Sequence, residues 1–108
     1  MTVLVVAGTG TGVGKTACTA AYAATAAAAG ERVAALKPAQ TGVRPGEPGD
    51  ADEVARLVPE AEVRELARYP EPLAPATAAR RSCLPPVTAG QAAGAAADLA
   101  AEHDLVLV

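Results

Sequence analysis

The chain has 108 residues, 51% hydrophobic but only 2% aromatic, which allows one lean, alanine-rich core and no more than one domain or part of one. Its formal charge of −3 argues against a chain that wraps nucleic acid, since that task needs a basic face to neutralise phosphates. The apolar run at residues 3–7 is too short for a leader or a membrane span, so a cytoplasmic protein with no membrane partner is expected.

In chain order, Val3-Leu4-Val5-Val6-Ala7 is continuous and β-branched, the pattern of a strand covered on both faces of a parallel sheet. A glycine-rich turn runs from Gly8 to Gly14. Lys15-Thr16 then opens an alanine-dominated helix through residue 29, closed by Gly30. Residues 32–36 read as a second strand, joined to the first by a right-handed crossover, with Lys37 at its carboxyl end. Both strands then deliver their following residues to the sheet edge where open α/β folds bind ligands.

Residues 43–49 are rich in Pro and Gly and predict a loop, followed by a helix over 50–57. A further helix is expected over 61–67. Prolines at 70, 72 and 75 then hold the chain extended, and Arg80-Arg81 is expected to top a solvated helix end. Thr88 and Gln91 have the spacing of a capping box, which starts a helix running to about His103. His103 is expected to complement the dipole of that helix rather than to bind metal. Residues 105–108 begin another buried strand, and the sequence stops inside it, as expected of the N-terminal part of a longer domain.

The segment Gly8-Thr9-Gly10-Thr11-Gly12-Val13-Gly14-Lys15-Thr16 carries the strongest chemical signal. Small residues let backbone N–H groups turn inward around a phosphate, and the helix behind them presents its positive dipole end. Lys15 supplies a mobile charge to the β- and γ-phosphates, and the Thr16 hydroxyl is placed for Mg²⁺. Thr9 stands where the common P-loop pattern has glycine, and Gly8 lies one residue earlier. With a strand before and a helix after, the segment predicts an α/β, P-loop NTPase-like fold, three layers αβα with a mostly parallel sheet.

Of the nine cationic residues, seven are arginine, and the two lysines are Lys15 and Lys37, the two positions expected to face phosphate. A compact ammonium suits a point-charge role there. Cys18 and Cys83 lack any CxxC or His-rich company and read as reduced packing residues. Tyr22 reads as helix packing, and Tyr69 as a loop anchor or a cavity wall.

The P-loop together with Lys37-Pro38-Ala39-Gln40-Thr41-Gly42 resembles the paired signature of dethiobiotin synthetases, and Pro72-Leu73-Ala74-Pro75 is similar to a substrate-side segment of that family. The resemblance implies an ATP-dependent ligase of biotin biosynthesis that joins CO₂ to 7,8-diaminononanoate and closes a ureido ring. It implies catalytic roles for Lys37, Lys15 and Thr11. Gly12, Val13, Gly14, Lys15, Thr16 and Ala17 would bind the nucleotide, with Asp50, and Thr41 would contact the diamine. Thr16 and Asp50 would be the Mg²⁺ ligands. A homodimer is implied for the full-length enzyme. Members of the family carry acidic residues where this chain has Gly10 and Gly12, and a further carboxylate ligand and the base pocket would lie beyond Val108. Asp104 precedes its strand and so belongs to the opposite sheet edge. Two alternatives stay open: a P-loop amidoligase of the cobyrinic or cobyric acid synthase type, and a nucleotide-binding fragment without catalysis. A partitioning ATPase would carry a lysine early in the loop, where this chain has none.

Overall fold

The computed structural model describes residues 2–10 and 12–108. In order come β1 (Thr2–Leu4), α1 (Lys15–Ala28), β2 (Val33–Thr41), α2 (Asp50–Leu57), β3 (Glu62–Tyr69), α3 (Pro75–Ser82), α4 (Ala89–Ala100) and β4 (Leu105–Leu107). The strands form one sheet in the order β1-β4-β2-β3, and each pairing is parallel.

The strands alternate their side chains between two helical layers. Val33, Leu105 and Leu107 pack with Ala20, Ala23 and Ala26 of α1 and with Val58. Ala34, Leu36 and Val106 point the other way, against Leu99 and Ala100 of α4. The three α1 alanines recur every third residue, so the helix turns one small-residue stripe to the sheet and its backbone comes close. A third cluster joins Tyr69 to Ala78 and Ala79 of α3. This is the three-layer αβα arrangement expected from the sequence.

Several local features match their sequence signals. Gly30 closes α1 at φ 84°, a left-handed backbone that glycine adopts without strain. α2 occupies the residues expected, and Arg80 and Arg81 stand in the last turn of α3. Thr88 caps α4: its hydroxyl accepts the Gln91 N–H at 3.1 Å, and Gln91 Oε1 accepts the Thr88 N–H at 2.8 Å. That helix ends at Ala100, short of His103. His103 stays linked to it through Nδ1, 2.7 Å from the Leu99 carbonyl, while Nε2 lies 3.0 Å from Glu62.

Other expectations are corrected. Residues 61–67 are not a helix. Val63 and Leu66 have helical spacing, but residues 62–69 instead pair with β2 from Ala34↔Glu62 to Thr41↔Tyr69. An edge strand tolerates the charges at Glu62, Arg64, Glu65 and Arg68, and tertiary pairing overrides the local pattern. β2 continues past residue 36, so Lys37 lies inside the strand and not at its end. The first two strands are parallel, as the crossover reading expects, and β4 lies between them. β1 is an edge strand and is not covered on both faces: Val3, Leu4 and Val5 are exposed, although Val6 N–H still reaches the Val108 carbonyl at 2.7 Å. The proline segment ends at Pro75, which starts α3, a position where its missing N–H costs nothing. Cys18 and Cys83 are free thiols as expected, yet both are exposed and neither is a packing residue. Tyr22 is exposed as well.

Candidate active site

The glycine-rich turn leaves β1 and enters α1 through Gly14, whose φ of 98° makes it the left-handed residue before the helix. Gly12, at φ 76°, is the second position in the turn where a side chain would strain the backbone. Gly14 has no side chain with which to cap α1, and among the described residues the N–H groups of its first turn are available to an anion. Gly8 has a different reason to be glycine. A Cβ there would lie 2.6 Å from Val13 Cγ2 and 3.2 Å from Lys15 Cγ and Cδ. The stem of Lys15 therefore folds back over Gly8, and its ammonium donates to the Gly10 carbonyl at 3.0 Å. This gives a physical reason for a loop whose first glycine stands one residue early.

At the carboxyl edge of the sheet, Lys15 and Thr16 from α1, Lys37 from β2 and Asp50 from α2 line one cavity together with Val54 and Leu107. Lys37 Nζ is 2.7 Å from Asp50 Oδ2, with both side chains partly exposed. Lys37 also lines a second hollow on its other side, bounded by Ala39, Pro75, Val87, Thr88 and Ala92. Lys37 thus lines both the cavity beside the phosphate-type loop and a largely apolar groove.

The remaining expected residues are more scattered. Gly12 and Val13 in the loop and Ala17 in the first turn of α1 are exposed and line neither cavity. Thr41, at the far end of β2, is also outside both linings. Thr11 lies outside the described residues. Asp104 is at the opposite sheet edge, bound to Arg32 at 3.2 Å, as its place before β4 requires.

The donor set suits magnesium. A threonine hydroxyl and a carboxylate are hard oxygen ligands, and Mg²⁺ ordinarily takes one or two such groups, with phosphate oxygens and water completing its shell. No cluster of three His, Cys, Asp or Glu side chains that could hold an ion occurs among the described residues. A cation that arrives with a nucleotide needs none.

Two groups escaped the sequence reading. Gln40 is buried, and its Oε1 accepts the Asp50 backbone N–H at 2.8 Å. Arg68 on β3 binds Glu65 at 2.9 Å and Asp52 at 3.3 Å, and donates to the carbonyls of Arg44 and Glu47. The sequence held one signal for Gln40: a helix opening Gly49-Asp50 has no hydroxyl or amide of its own at the cap and needs an acceptor from elsewhere. Arg68 lies just past the helix expected over 61–67, and its place follows from the strand that stands there instead.

Comparison with known proteins adds three findings. A family model described as an AAA domain matches residues 2–108. The chain is 71% identical over its whole length to an ATP-dependent dethiobiotin synthetase of Streptomyces avermitilis, covering 45% of that protein. It is 63% identical to the protein of the same name from Streptomyces coelicolor and 64% to that from Saccharopolyspora erythraea, again over the whole chain, covering 45% and 47% of them. The chain thus spans about half the length of the curated relatives it matches, and corresponds to their N-terminal part.

Proposed function

This chain belongs to the AAA-domain family, and from that premise we propose that it forms the nucleotide-binding part of an ATP-dependent dethiobiotin synthetase. The reaction would turn 7,8-diaminononanoate, CO₂ and ATP into a ureido ring. One amine takes up CO₂ as a carbamate, and a carbamate oxygen attacks the γ-phosphate with loss of ADP. The second amine then displaces phosphate from the carbamic-phosphoric anhydride and closes the five-membered ring.

Such chemistry asks for position and charge neutralisation, and no protein nucleophile. The N–H groups around Gly12 to Ala17 would cradle the phosphates. Lys15 would neutralise the β- and γ-oxygens, and the same reading gives Thr11 a catalytic role. Lys37 would sit where the carbamate meets the transferring phosphoryl group, and its charge counts for more in a partly dry cleft than in water. Thr41 would contact the diamine, although it stands apart from the cavity. Thr16 and Asp50 would hold Mg²⁺, which would offset charge on the phosphate oxygens. The apolar groove on the far side of Lys37 has walls suited to the methylene chain of a diamino acid. A cytoplasmic homodimer belongs to the same reading; no helix among the described residues is long and apolar enough to cross a membrane.

The observation that carries this reading is the meeting of Lys15, Thr16, Lys37 and Asp50 at one cavity on one sheet edge. The test is incubation of the intact gene product with the diamine, bicarbonate and ATP, with dethiobiotin read by mass spectrometry. Dethiobiotin formed only when all three are present is expected. Ammonia-dependent amidation of a carboxylate in its place would overturn the reading in favour of an amidoligase. For the 108 residues alone, calorimetry should register Mg-ATP binding without turnover, because the missing half of the relatives' length would complete the site.

A further inference from the structure

Asp50 is held to β2 at two points. Its carboxylate meets Lys37 at 2.7 Å, and its backbone N–H meets Gln40 Oε1 at 2.8 Å. The second contact satisfies one of the N–H groups that open α2, and it comes from a side chain ten residues earlier in the chain. A glutamine suits the place because its amide nitrogen also has a partner, the Thr41 carbonyl at 3.1 Å. A carboxylate there could accept from Asp50 but would face the Thr41 carbonyl with lone pairs and set a second negative charge beside Asp50.

The residue between is equally constrained. Gly49 is buried, and a Cβ on it would lie 3.0 Å from both Gln40 Oε1 and Arg68 Nη2. Asp52 Oδ2 accepts the Gly49 N–H at 2.7 Å and is itself bound by Arg68 at 3.3 Å. Arg68 in turn ties down the carbonyls of Arg44 and Glu47, which fixes the loop leading into Gly49. The backbone at 49–50 is thus gripped from β2 on one side and β3 on the other.

We infer that Gln40 is a positioning residue for Asp50: with Arg68 closing on Gly49, it fixes where the Asp50 carboxylate stands relative to Lys37 and the P-loop. The inference rests on the metal-holding role given to Asp50 above. Groups that orient a metal ligand set the affinity of the site without touching the ion.

The test compares wild type with Gln40→Met, which keeps the length and removes the hydrogen bonds, in the intact gene product. Hydrogen exchange of the Asp50 amide, measured without nucleotide, should quicken about tenfold or more. The Mg²⁺ concentration for half-maximal ATP binding should rise about tenfold, while metal-free ATP affinity stays within about twofold. Gly49→Ala keeps Gln40 but crowds its Oε1, and should move both readouts in the same direction, so a misfolded Gln40→Met does not end the test. Faster exchange with an unchanged Mg²⁺ requirement would make Gln40 merely structural and overturn the inference. Unchanged exchange in both variants would overturn it as well, as would an Asp50→Asn variant with the wild-type Mg²⁺ requirement. A protein that forms no dethiobiotin but shows the shifted Mg²⁺ requirement would sink the proposed reaction and leave the positioning role standing.

Discussion

One basic residue tied to a carboxylate stands just before β2 and another stands within it, and the two pairs are built differently. Before its start, Asp104 Oδ2 accepts the Arg32 backbone N–H at 2.9 Å, Oδ1 meets the guanidinium at 3.2 Å, and the Asp104 N–H returns to the Arg32 carbonyl at 2.8 Å. Backbone and side chains close on each other, and neither residue lines the cavities described. Towards the other end, Lys37 meets Asp50 through a single contact beside Lys15 and Thr16. An ammonium has three N–H donors, and among the described residues only Asp50 takes one of those of Lys37. The closed pair splices β2 to β4; the open pair keeps charge ready at the ligand edge.

The largest effect should come from breaking the open pair. Lys37→Gln is expected to lower turnover on the order of a hundredfold or more while ATP affinity changes little, because the lost charge acts mainly on the transferring group. Folding stability should move by only about 1 kcal/mol or less, since partly exposed ion pairs contribute little. Steady-state kinetics beside thermal unfolding separates the two. A variant with normal turnover and a large loss of stability would turn the open pair into a second splice.

Gly8→Ala tests the same end from the loop side. The added methyl would meet Val13 Cγ2 and the stem of Lys15, pushing the ammonium away from Gly10. Nucleotide affinity is expected to fall about tenfold, equivalent to ~1.4 kcal/mol, in a titration with a non-hydrolysable ATP analogue. Unchanged affinity would mean that Lys15 reaches phosphate without folding over Gly8.

What was legible in the sequence follows from how local each signal is. Gly14 before Lys15, Gly30 after α1 and Thr88 with Gln91 answer backbone demands within a few residues, and each lies where its type predicts. Lys37 does line a cavity with Lys15 and Thr16 as the α/β rule suggested, although it lies inside β2 and not at the strand end that the rule addresses, and β4 separates the strands. The strand at 62–69 was not legible, since its identity comes from pairing with β2 rather than from its own pattern. The error carried a cost, because Arg68 and its hold on the 44–49 loop depend on that strand. The Gln40 contact was hidden in a similar way: a residue inside a strand reaches a helix start across a ten-residue loop.

A smaller effect is expected where the carboxyl end is braced and not charged. Tyr69 is buried, and its hydroxyl donates to the Pro85 carbonyl at 2.7 Å, holding the segment that leads to Val87 and Thr88 at the apolar groove. Tyr69→Phe should cost about 1 kcal/mol of stability, the usual net worth of such a bond. If the groove holds the diamine, KM for that substrate should rise while KM for ATP does not. Equal rises in both would place the groove outside substrate binding.

The smallest effect belongs to the closed pair, and pH exposes its sign. Arg32 holds the Asp104 carboxyl below the ordinary aspartate range, first through its backbone N–H and then through its guanidinium. A carboxyl whose folded pKa is depressed adds stability that is fully present above its unfolded value, near 3.8, and is lost as pH falls through the lower folded value. Wild type should therefore lose more thermal stability on acidification through that window than Asp104→Asn, with the two curves running parallel at neutral pH and above. The difference should be small, because both side chains are well exposed and water screens them. Dethiobiotin formation at neutral pH should be unaffected, since no atom of this pair lies at the ligand edge. A fall in turnover without a fall in stability would show that the amino edge of β2 influences the chemistry at the other, and the division between splice and site would fail.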